Sequence, residues 1–334
     1  MRLSTRTSSR LADAETPSGS GWATGRNDTM TRIQRAQVAW LCVRLQLAYT
    51  EITRGLVDGD LVCSLLLPAI IEANVGHLDA DPDISRRHQA LDAAYPDELR
   101  RPANALSIAQ FLDLPRETAR AKLAGMVANG VLQRTPTGYI LPTSTLISDR
   151  FLPTIPRYLD ALDGFISGLG LIRAFGLRPG SRLAHPVWPV AWAAMRLSTA
   201  HVLRETAYTR ELTSGMNLTA CHILLTVCHS VSGQLRLPAQ MPARGGALSM
   251  LQPTFGAVRG TAVAAGLNLP EETVRRHLQQ LVAAGYLCRS PRGYDVVHDA
   301  DTLPIWRMFQ KRAQANARQL IWRLTTTGVV PSPD

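Results

Sequence analysis

The sequence predicts a mainly α-helical protein with small β-hairpins, built from two halves related by internal duplication. Three observations carry that expectation. Residues 103–141 align without a gap onto residues 258–296, with 16 of 39 positions identical, and self-similarity at a fixed period marks a repeated structural unit. Each copy has apolar residues at helical spacing, then glycine, then a short Pro/Gly turn between apolar stretches. Finally, apolar residues make up 46% of the 334 and aromatics only 6%, with abundant Ala, Leu and Arg, a composition that favours helices.

Taken in order, residues 1–29 are rich in Ser, Thr, Arg and Gly and lack hydrophobic periodicity, which predicts a disordered basic arm. Asp13, Glu15 and Asp28 argue against a transit peptide. The first half is expected over 30–176. Val38-Ala39-Trp40 opens a helical pattern to about Thr53, and an apolar helix follows from about Asp60 to Val75. A linker at 177–189 carries Pro179, Gly180, Pro186 and Pro189 and divides the chain. The second half, 190–326, repeats the plan: Val190-Ala191-Trp192 opens a pattern to about Leu212, then a helix runs from Asn217 to Val231. Both second helices end in Gly-x-Leu, at Gly76–Leu78 and Gly233–Leu235, where glycine can take the left-handed cap. Polar connectors at 79–102 and 236–257 lead to the repeated segment. A closing helix follows Leu152-Pro153 and Leu303-Pro304, and 327–334 form a tail.

The repeated segment reads LDLPRETARAKLAGMVANGVLQRTPTGY from Leu112 to Tyr139 and LNLPEETVRRHLQQLVAAGYLCRSPRGY from Leu267 to Tyr294. A short helix and a turn lead to Pro115, at the first position of a second helix where its missing N–H costs nothing. Ala119, Leu123, Met126 and Val127, matched by Val274, Leu278, Leu281 and Val282, fall on one face. The opposite face is expected to carry Arg116, Thr118, Arg120 and Lys122, and in the second copy Thr273, Arg275, Arg276 and His277. Gly130 and Gly285 stop the helices. Thr135–Tyr139 and Ser290–Tyr294 then demand tight turns, hence β-hairpins.

Helix, turn, helix with a basic outer face, then hairpin: this order resembles the winged helix-turn-helix of bacterial transcription regulators. The flanking long helices are similar in arrangement to MarR-like proteins, where they build the dimer interface. The resemblance implies two tandem winged-helix domains acting as a pseudo-dimer or as half of a larger homodimer, with double-stranded DNA as partner. It places Arg116, Thr118, Arg120, Lys122, Thr273, Arg275, Arg276 and His277 toward the major groove. Arg134, Thr137, Arg289 and Arg292 of the wings would meet phosphates or the minor groove. Arg116 is replaced by Glu271 and Ala121 by Arg276, so two half-sites read this way would differ. A small-molecule effector between the long helices would suit the resemblance. Two other readings stay open: a plasmid-type replication initiator with two winged helices, and a non-enzymatic scaffold for protein–protein assembly.

The formal charge of +10 and pI near 9.9 favour a polyanionic partner. Five cysteines, none spaced as CxxC, suit a reducing cytoplasm without disulfides or a zinc finger. Cys221-His222 and Cys228-His229 are expected to be buried helix residues, and no metal or cofactor is expected. Leu61–Ile71, the longest uncharged apolar run, has 11 residues, too few to span a bilayer of about 30 Å. No phosphate-binding loop, dinucleotide fingerprint, HExxH or GxSxG is present, so the expectation is a non-enzymatic, cytoplasmic, nucleoid-associated protein. The basic closing helix from Ile305 to Leu324 is expected to pack its apolar face on its own domain.

Overall fold

A computed structural model of the chain describes residues 30–213, 216–231, 256–297 and 304–331. The expectations for the arm 1–29, for Gly233–Leu235, for nearly all of the connector 236–257 and for the last residues of the tail lie outside these. The described residues are mainly helical, with two small antiparallel hairpins.

Helix α1 (Arg32–Leu56) starts earlier than its apolar pattern suggests, because Thr31 and Gln34 form a reciprocal capping box, which satisfies two orphan donors at once. Asp60 caps α2 (Leu61–Val75) through the Cys63 N–H at 2.8 Å. At its other end Gly76 is right-handed (φ −59°), not left-handed as expected, because the chain runs straight on into a further helical turn. The connector after it is more ordered than a polar loop: it holds a short helix α3 (Pro82–Arg87) and single turns at Gly76–Ala80 and Asp97–Leu99. Next come α4 (Ala105–Leu112), α5 (Arg116–Ala128), strands β1 (Gln133–Thr135) and β2 (Gly138–Ile140), a short α6 (Thr143–Leu146) and the closing helix α7 (Ile155–Leu171).

The second half repeats this order with α8 (Ala191–Leu212), α9 (Leu218–Val231), α10 (Gly260–Leu267), α11 (Glu271–Ala283), strands β3 (Leu287–Ser290) and β4 (Gly293–Val296), and the closing helix α12 (Pro304–Thr326). Residues 177–187 between the halves are non-helical. By composition and length, Leu61–Asp79 is long and apolar enough to cross a membrane, yet it is 61% buried within the protein, as befits a core helix.

The two halves interlock. Helix α1 packs on α7 of its own half and also on α8 and α12 of the other; α2 packs on α8, and α9 on α1. One apolar core therefore runs through both halves, from Val38, Leu45 and Leu66 to Trp192, Leu197 and Leu320. The division at 177–189 is one of sequence, with packing continuous across it. Buried polar contacts cross the same seam: Tyr49 Oη lies 2.5 Å from Ser198 Oγ, and Gln46 donates to Thr206 at 2.9 Å.

The closing helix α12 buries Phe309, Ala313, Ala317, Leu320, Ile321 and Leu324. Of its cations, Arg312 pairs with Glu211 and Arg323 with Asp79. Glu211 belongs to its own half but Asp79 to the other, and α12 packs on α1 as well as on α8. The expected packing on its own domain therefore holds only in part, and the apolar face is shared between the halves.

Candidate nucleic-acid interface

The two copies of the repeated segment fold alike, and their identical residues have a common structural cause. Asn104 caps α4. At the end of α4 the backbone turns left-handed at Asp113 (φ 53°), and at the end of α10 at the matching Asn268 (φ 46°). Short polar side chains tolerate that conformation better than others do. Pro115 and Pro270 stand one residue earlier than expected, at the N-caps of α5 and α11, and neither helix has a side-chain cap. Their first-turn amides are left to solvent or to an anion.

On α5, Ala119, Leu123 and Met126 are buried, and on α11 Val274, Leu278 and Leu281. Arg116, Thr118, Arg120, Arg275 and Arg276 are exposed, with Thr273 half-buried. Arg120 pairs with Glu117 at 3.5 Å, and the matching Arg275 holds Glu272 with two bonds of 2.7 and 2.6 Å. The hydrogen bonds from Arg275 keep the Glu272 carboxyl below its ordinary range. Each outer arginine thus pairs with a glutamate one turn earlier in a solvent-exposed contact, a long one for Arg120 and a two-bonded one for Arg275.

Two expected members of that face do not belong to it. His277 is only 3% exposed, and its Nδ1 lies 3.0 Å from Gln280 Oε1. Lys122 is half-buried and pairs with Asp60, the cap of α2; that hydrogen bond raises its pKa. The reason is periodicity: position 277 lies three residues after Val274 and four before Leu281, and position 122 stands likewise between Ala119 and Met126. Both border the buried stripe. Lys122 therefore ties α5 to the body of the protein, with help from Asp58, which accepts from Asn129 and Arg150.

Both hairpins pair in the same register, Arg134 opposite Tyr139 and Arg289 opposite Tyr294. Arg134, Thr137, Arg289 and Arg292 are exposed. Each hairpin gains a third short pairing from upstream, Ala103 with Tyr139 and Val258 with Tyr294. This explains Gly138 and Gly293. A Cβ there would stand 2.4 Å from the Ala103 carbonyl oxygen and 2.3 Å from that of Val258, so only glycine allows the approach.

The mounts differ. The first segment joins the shared core through Ile108, Leu112, Leu123 and Met126. The second forms a separate cluster with Ile223, Leu224 and Val227 of α9. Each segment also reaches beyond its own half: Arg210 at the end of α8 pairs with Asp113, and Leu269 packs against the shared core.

Cys221, His222 and His229 are buried and Cys228 half-buried on α9. Burial pushes His222 down to about 3 and His229 to about 4. A cavity of about 40 Å³ lies between the long helices near Tyr49, Thr53, Trp192 and Arg196, room for roughly one water. No local pattern marks the Asp58 anchor, whose partners are 71 and 92 residues distant. No family model, no curated protein and no solved structure matches the chain.

Proposed function

We propose that the chain is a double-stranded-DNA-binding transcription regulator with two tandem winged helix-turn-helix modules, held by the interlocked long helices as an intramolecular pseudo-dimer. One observation carries the reading. An exposed arginine recurs at the same place in both segments, Arg120 and Arg275, each braced by a glutamate on a helix whose other face is buried. Such a pre-set guanidinium suits bidentate recognition of a guanine edge. Arg116, Thr118, Thr273 and Arg276 complete the two base-reading sets, and Arg134, Thr137, Arg289 and Arg292 take phosphates. Lys122 and His277 have structural roles and leave the set.

The reciprocal docking of each segment on the other half supports a fixed spacing between the two half-sites. Because Arg116 is opposed by Glu271 and Ala121 by Arg276, the half-sites are related but unequal. Selection of the full chain on a random duplex library tests this, followed by binding measured across a salt series. An imperfect palindrome is expected, with affinity falling steeply with salt. Arg120→Ala and Arg275→Ala should each weaken the selected site about tenfold or more and relax one position. Unchanged affinity and preference in both variants refutes the assignment. A footprint in the host over iterated origin repeats in place of promoters would indicate replication initiation.

A further inference from the structure

The seam between the halves holds a group of side chains with no part in DNA recognition. Cys42 of α1 faces His201 and Glu205 of α8, and their ligand atoms lie within 4.8 Å of one another. All three side chains are sealed from solvent. From these positions we infer a divalent-metal site of the zinc class, in which Cys42 Sγ, a ring nitrogen of His201 and the Glu205 carboxylate bind one ion and staple the two halves together.

Polar satisfaction is the first argument. His201 is fully buried, and neither ring nitrogen makes a hydrogen bond of good geometry, Asn316 offering the ring only a weaker polar contact. A buried imidazole without partners is costly, and a metal ion would satisfy it. The ligand chemistry is the second. One thiolate, one imidazole and one carboxylate suit a borderline ion such as Zn²⁺, and their two negative charges balance it. Zinc bond lengths set neighbouring ligand atoms about 3.3–3.8 Å apart, so small side-chain rotations close the trio.

Support from outside the trio is the third argument. Asn316 donates to Glu205 at 2.6 Å and to the His201 carbonyl oxygen at 3.1 Å, while accepting from Arg204 at 2.6 Å. Metal ligands are commonly oriented by such partners. A fourth donor stands one turn on from Cys42: Gln46, whose buried Oε1 has no partner. In the register that matches Val38 with Val190, Gln46 corresponds to Ser198 and Tyr49 to His201. By that register the Tyr49–Ser198 contact across the seam corresponds to the positions of His201 and Gln46, and Gln46 itself crosses the seam to Thr206. Binding releases the Cys42 thiol proton, and the Glu205 proton where that carboxyl is still protonated. Histidine binds neutral, and no electron moves.

This inference is independent of DNA binding, and its test uses spectroscopy. The reduced, metal-stripped full chain is titrated with Co²⁺ and then Zn²⁺. One equivalent of cobalt should bind, with a thiolate-to-cobalt charge-transfer band and the intense visible bands of tetrahedral coordination, all displaced by zinc. Cys42→Ser should abolish the charge-transfer band. His201→Gln and Glu205→Gln should each weaken binding about tenfold or more, the scale of perturbing a metal shell. Unchanged helical circular dichroism establishes that each variant is folded, and Gln46→Leu serves as a second variant at the seam, weakening cobalt without removing the thiolate band. Absence of bands in the wild-type chain overturns the site. So does a band that survives Cys42→Ser and is lost in Cys221→Ser or Cys228→Ser.

Discussion

Three histidines buried without charge should make this protein lose stability on mild acidification. Burial pushes His201 to about 3, His222 to about 3 and His229 to about 4. The unfolded chain protonates its histidines near 6.5, so the stability these residues contribute is complete above that pH and is lost as pH falls toward 3–4. At pH 5 each costs about 2 kcal/mol, about 6 kcal/mol together. Glu205 works the other way. Burial raises its pKa to about 7, so its stabilising contribution is complete below about 4.5 and is lost as pH rises through 7. Acidifying from pH 8 to 5 therefore returns about 2–3 kcal/mol. Glu72, also raised by burial, acts with Glu205, and His77, lowered by burial, acts with the histidines. The net loss is about 3–4 kcal/mol, a large share of a typical total of about 5–15 kcal/mol. Urea denaturation with a chelator present, at pH 8 and pH 5, measures it directly. Net uptake of about two protons on unfolding near pH 5.5 should accompany it, from three histidines opposed by one carboxyl. His222→Leu combined with His229→Leu leaves one histidine against one glutamate, and stability should then be nearly level from pH 8 to 5. Equal or greater stability of the wild type at pH 5 would mean that these histidines are not held neutral in the folded protein.

Three substitutions test other elements by denaturation. Gly293→Ala, where φ is +136° and the Val258 carbonyl is in the way, should cost about 2–4 kcal/mol and free the hairpin from its upstream pairing; a loss below about 1 kcal/mol contradicts the close approach. Gly125→Ala, on α5 with open space around it, should instead stabilise by about 0.5–1 kcal/mol, and destabilisation would mean the outer face is packed. Asn316→Ala strands Arg204 and Glu205 in the seam and should cost about 3 kcal/mol, with little change counting against the network.

The parts legible in the sequence are those set by near neighbours. The helices of the repeated segment, their stops at Gly130 and Gly285, the tight turns and the two-half plan follow from local spacing and turn chemistry. What escaped was set at long range. The inward turn of Lys122 depends on Asp60, 62 residues away, although its place beside the buried stripe was visible in the periodicity. The order in the 79–102 connector depends on Asn74, which accepts from the Leu141 N–H and donates to the carbonyls of Arg101 and Tyr139. The trio at the seam joins residues about 160 positions apart. Its only local trace is the His201–Glu205 spacing of one helical turn, which is common in helices without metal.

Joining the halves in one chain changes what their seam can become. In a symmetric homodimer every seam residue occurs twice, so a change on one side is repeated on the other. Here the sides vary independently. Tyr49 meets Ser198, while the residue matching Tyr49 is His201, beside a cysteine on the opposing helix that has only alanine, Ala194, as its own counterpart. A mixed cysteine, histidine and glutamate set can therefore form once, on one side of the seam. The same freedom extends to the mounts. The first segment shares the main core, whereas the second rests on a cluster of its own with α9. Regions with fewer ties to the main core open at lower free energy, which makes the second segment the one more easily loosened. The differences at the seam, in the mounts and on the outer faces are all of a kind that a single chain permits and a symmetric homodimer does not.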